Sequence, residues 1–125
     1  MKNLVVWCDK GWYPVYWGFC PSEAAWKREM RRMRATEAYP RSDGRCTVFE
    51  SAEGKVSILV TLSDRLDGKD PMGIVALLVH EAVHVWQHIC DHIGETKASK
   101  EVEAYAIQRI VSELMRAYAD TRMPA

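Results

Sequence analysis

At 125 residues, 48% of them apolar and 27% charged, the chain has the size of one domain (1–125), and its composition excludes a disordered or low-complexity protein. Its 17 lysines and arginines balance 17 aspartates and glutamates, so no net field invites nucleic acid or an anionic membrane. Four widely separated cysteines (Cys8, Cys20, Cys46, Cys90) form no CxxC pair, which points to reduced thiols rather than a zinc ribbon or a disulfide framework.

Asn3 to Cys8 reads as a first strand, closed by the turn-like Asp9-Lys10-Gly11. The first residues lack the pattern of a signal peptide and no apolar stretch looks long enough to span a membrane, so a cytoplasmic protein without a membrane partner is expected. Trp12 to Phe19 is aromatic, with Pro14 and Gly18 favouring an extended segment or loop. Ser22 is placed to cap a helix whose stripe Ala25, Trp26, Met30 and Met33 faces the core. Lys27, Arg28, Arg31 and Arg32 then face water, and the basic run ending at Arg34 is read as a solvated face, with no nucleic-acid partner. Cys46–Glu50 and 55–62 read as strands joined by a hairpin at Ala52-Glu53-Gly54. Alternation of Val56, Ile58, Val60 and Leu62 with Ser57, Leu59 and Thr61 predicts one packed face and one at least partly open face, where an extended peptide could add as a strand. Together these elements predict an α+β fold with a small antiparallel or mixed sheet.

Asp70 as N-cap, Pro71 at the first helical position and Gly94 as stop frame the next helix. The run Met72 to Val79 is apolar nearly all round, predicting a helix buried on every side. It leads into His80-Glu81-Ala82-Val83-His84, the HExxH pattern. Residues four apart share a helix face about 6 Å from each other, so both imidazoles can reach one zinc ion at roughly 2.0–2.1 Å. Glu81, turned to the neighbouring face, is placed to take a proton from a zinc-bound water. His88 and His92 continue the row, but the drift of about 40° per step prevents four histidines from serving one ion.

A final helix from about Ser99 to Ala119 follows a short linker and is expected to fold back antiparallel. It offers Glu101 and Glu103 as a third ligand, roughly 160° apart around the axis. Periodicity puts Glu103 in line with the apolar Ile107, Ile110 and Leu114, and Glu101 in line with the more polar Tyr105, Gln108 and Ser112.

With Glu101-Val102-Glu103-Ala104-Tyr105 following the HExxH helix, the chain resembles the gluzincin branch of zinc metallopeptidases. There the third ligand commonly stands in an ExxA[D/N/Y] pattern. The Ala-Tyr ending resembles small phage- and prophage-encoded HExxH proteins. The resemblance covers about a third of the chain and implies a minimal zincin-like domain. It also implies zinc held by His80, His84 and Glu101, Glu81 as general base, and a peptide or protein substrate. Tyr105 stands where Asp is more usual, and the second lobe of large gluzincins is absent. Tyr105, Arg109, His88 and Tyr39 are candidate donors to an oxyanion. The rival function is a zincin-like metal-binding phage assembly or host-interaction protein without peptidase activity.

Overall fold

A computed structural model describes residues 3–123. In chain order the elements are β1 (Val6–Trp7), β2 (Tyr16–Cys20), α1 (Glu23–Met33), β3 (Gly44–Glu50), β4 (Val56–Leu62), α2 (Pro71–Ile93) and α3 (Lys100–Arg122), with a 3-10 turn at Asp64–Leu66 before α2. The class is α+β. The sheet order is β1-β2-β4-β3: β2 and β4 run parallel, linked by way of α1, and the two outer pairings are antiparallel.

Local side-chain chemistry sets the helix ends. Ser22 accepts a hydrogen bond from the Ala25 amide, Asp70 from Gly73 at 2.9 Å, and Ser99 from Val102, each satisfying a backbone donor that the first turn leaves free. Gly94 closes α2 in the left-handed region at φ 72°.

Every residue of β4 is buried, because helices cover both faces of the sheet. Val56, Ile58, Val60 and Leu62 point to one side with Trp17 and Phe19, against Leu78, Val85 and Ile89 of α2 and Ile110 and Leu114 of α3. Leu59 points to the other side, where Cys20 meets Ala25, Trp26 and Met30 of α1. The expected open face of this strand is therefore absent. Ser57 and Thr61 alternate like solvent-facing positions, but both are buried on the side of the sheet that carries α1. The sheet edges are β1 and β3, and β4 has no edge for an added peptide strand.

Helix α2 is not buried all round either. Met72 is 72% exposed and Val79 39%, since the sheet and α3 together cover only one side of the helix. With only Glu81 and Asp91 formally charged, Pro71–Ile93 is long and apolar enough to cross a membrane, contrary to the sequence expectation. The buried face of a core helix passes the same test.

The far end of α3 is anchored to the loop before α2. Arg122 donates to both Asp67 carboxylate oxygens (2.9 Å each) and to the carbonyls of Leu62 and Ser63. The Tyr118 hydroxyl donates to Asp67 at 2.6 Å, and burial, then that carboxylate, raises its pKa to about 12. Arg122→Ala should lose about 1–3 kcal/mol in denaturant unfolding, because it strips a partly exposed carboxylate and two carbonyls of a nearly buried donor. The raised tyrosine pKa means a stability contribution complete below pH 10 and lost as pH rises towards 12. The stability advantage of wild type over Tyr118→Phe should accordingly shrink across that interval.

Candidate metal centre

The HExxH turn lies in the middle of α2, where the helix passes the beginning of edge strand β3. His80 is exposed and His84 half-buried, while Glu81, one step round the helix towards the sheet, is only 3% exposed. The two imidazoles meet edge to face, with Nε2 atoms 3.1 Å apart. At that separation both nitrogens could serve as ligands of one cation.

Gln87 decides which nitrogen of His84 is available. Its Oε1 lies 2.9 Å from His84 Nδ1, so the ring donates there and carries its lone pair on Nε2, facing His80. An acceptor on the outer ring nitrogen is the usual way a metal-binding histidine is oriented.

Glu81 is positioned by β3. A β-carbon on Gly44 would lie 2.8 Å from Glu81 Oε2 and 3.1 Å from Leu62, so any larger residue there would displace this carboxylate. Next along the strand, the Cys46 thiol contacts the Glu81 carbonyl oxygen at 3.3 Å. Burial and the adjoining Glu81 carboxylate push this thiol far above its ordinary range, so it stays protonated. The four cysteines are free, and burial raises each of their pKa values.

Two depressions meet at Gly44, His80 and Glu81. One, of about 300 Å³, extends along Arg45, Cys46, His84 and His88. The other, of about 530 Å³, extends along Ser42, Asp43, Gly73, Ala76 and Leu77. Together they form a furrow between the start of β3 and the outer face of α2.

The structure brings together His80, Glu81 and His84, but not Glu101. Helix α3 packs beside the flank of α2 that carries Trp86, about 200° around the axis from His84. There Glu103 Oε2 accepts from Trp86 Nε1–H at 3.1 Å. Glu101 is exposed in the first turn of α3, and Tyr105, one turn on, is 67% exposed. Among the described residues, no three His, Cys, Asp or Glu side chains form a group that could hold a metal ion.

Of the candidate oxyanion donors, only His88 lines the furrow. Arg109 is turned to the Asp9 carbonyl and carboxylate, and Tyr39 packs on Trp26 across the sheet. The sequence reading gave Gly44, Cys46 and Gln87 no role. Gln87 was within reach of it, standing one turn after His84, whereas Gly44 and Cys46 belong to the site only through strand pairing.

Gly44→Ala should destabilise the fold by about 1–3 kcal/mol through the clash with Glu81. Equilibrium unfolding measures this, and a variant as stable as wild type would show that Glu81 is not held against β3. No protein-family model, curated protein or solved structure matches the chain.

Proposed function

We propose that the chain is a zinc-dependent metallopeptidase in which His80 and His84 bind the ion and Glu81 is the general base. The observation that carries this reading is the convergence of two Nε2 atoms at 3.1 Å, one position from a buried carboxylate, in an accessible furrow. A buried glutamate and a paired, oriented histidine add little to the packing of an amphipathic helix, and hydrolytic chemistry gives all of them a use.

The fit to zinc rests on two imidazoles at ligand spacing, with Gln87 fixing the lone pair of His84. Glu101 remains the third ligand that the resemblance proposes, and reaching the histidines requires the first turn of α3 to move. Zinc, when bound, supplies a Lewis acid that makes water acidic and polarises a carbonyl. Glu81 then accepts the water proton and returns it to the leaving amine, with Gly44 keeping its carboxylate at the furrow wall. His88 is the furrow side chain placed to donate to a developing oxyanion.

A second reading, a metal-binding assembly or host-interaction protein without peptidase activity, gains support from the outward position of Glu101. Glu81→Gln separates the two. A peptidase should lose about 10²–10⁴-fold in peptide hydrolysis while keeping its metal content and melting temperature. Peptide hydrolysis undiminished in Glu81→Gln, or absent from zinc-loaded wild type, would exclude the mechanism above.

A further inference from the structure

On α1 the structure holds arginines that the fold does not use. Elsewhere Arg65, Arg109, Arg116 and Arg122 each lie in an ion pair, as do Arg32 with Glu29 and Arg41 with Glu23. Among the described residues, Arg28, Arg31, Arg34 and Arg45 have no such partner, and the first three lie on α1 or at its end. All three are exposed. Residues 22–45 carry seven lysines and arginines against four carboxylates, in a chain whose net charge is zero. The neutral total therefore averages over a segregated surface.

Helix physics accounts for part of this. Arg31 and Arg32 complement the negative end of the helix dipole. Arg28 gains less there and repels Arg32 one turn on. Arg34 is the sharper case, because it ends α1 in the left-handed region at φ 57°, the conformation that Gly94 adopts at the end of α2. A β-carbon is strained there, and among the described residues the Arg34 guanidinium has no hydrogen bond, ion pair or cation–π contact to offset it.

We propose that the outer face of α1, formed by Lys27, Arg28, Arg31 and Arg34, binds the sugar–phosphate backbone of a nucleic acid. Lys27, Arg31 and Arg34 stand at i, i+4 and i+7, a straight stripe with rises of about 6 and 4.5 Å. Planar guanidinium groups match phosphate oxygens two at a time, and a repeating polyanion meets such a stripe without needing a shaped pocket. A lipid surface fits less well, since a helix lying on a membrane buries its apolar face there. The apolar face of α1 (Ala25, Trp26, Met30) is already packed on the sheet. The surface lies across the sheet from the His80–His84 furrow and does not depend on it.

The test is fluorescence anisotropy of short labelled single-stranded and duplex oligonucleotides, titrated over a range of salt concentrations. Wild type should bind at low salt, with log K falling against log salt at a slope of about −2 to −3 on single strands and about −3 to −3.5 on duplex, as expected for three or four phosphate contacts. Combining Arg28→Gln, Arg31→Gln and Arg34→Gln should weaken binding at least ~10-fold and flatten that slope. Lys97→Gln and Glu81→Gln should bind as wild type does. Arg34→Gly alone should raise the melting temperature by relieving the strained cap, yet weaken oligonucleotide binding, a combination that a purely structural arginine would not produce. No binding by wild type, undiminished binding by the triple variant, or equally tight binding of polyglutamate would each overturn the proposal, the last in favour of an acidic protein partner.

Discussion

Strand β4 lies between β2 and β3 with no residue exposed on either face, and the position of every other element follows from covering it. Burying one large aliphatic side chain contributes roughly 1.5–3 kcal/mol, so Ile58, Val60 and Leu62 on one side and Leu59 on the other require helical cover from both directions. The α2–α3 hairpin supplies it on the first side and α1 on the second. With α2 held down by Leu78, Val85 and Ile89, the turn between Leu78 and Val85 has a fixed rotation. His80 and His84 are then directed outward and Glu81 towards β3. The chemistry proposed for this chain is a consequence of that rotation.

The same packing limits the site. Helix α3 can cover the sheet only by presenting Ala106, Ile110 and Leu114 to the core, and this stripe fixes where its polar residues point. Glu103 and Glu101 are both exposed at the start of α3, but Glu103 is turned towards α2 and accepts a hydrogen bond from Trp86, whereas Glu101 has no such contact among the described residues. A carboxylate held by an indole donor ties the two helices of the hairpin together on a flank of α2 that the histidines do not share.

Much of this was legible in the sequence wherever the signal is local. The ends of α1, α2 and α3 follow from Ser22, Asp70 with Pro71, Gly94 and Ser99, each acting on backbone groups within a few residues. The convergence of His80 and His84 is likewise a property of a single helical turn. Arrangements decided by distant packing were not legible. Ser57 and Thr61 look like solvent positions until the second face of the sheet is covered, and Met72 and Val79 look like core positions until α2 finds no partner on that side. The choice between Glu101 and Glu103 belongs to the same class. Periodicity identified Glu103 with the apolar stripe, but only the packed hairpin shows that this stripe faces Trp86 rather than the histidines.

The most direct test of the central claim is the zinc content of the purified, zinc-equilibrated protein beside His84→Ala, Glu101→Ala and Glu103→Ala. The account predicts about one equivalent in wild type, lost in His84→Ala and retained in Glu103→Ala, because Glu103 serves Trp86. Loss in Glu101→Ala would identify the group that moves in to complete the site. Wild type without zinc even after its addition, or His84→Ala binding as much as wild type, would contradict the claim that the His80–His84 pair is a metal centre.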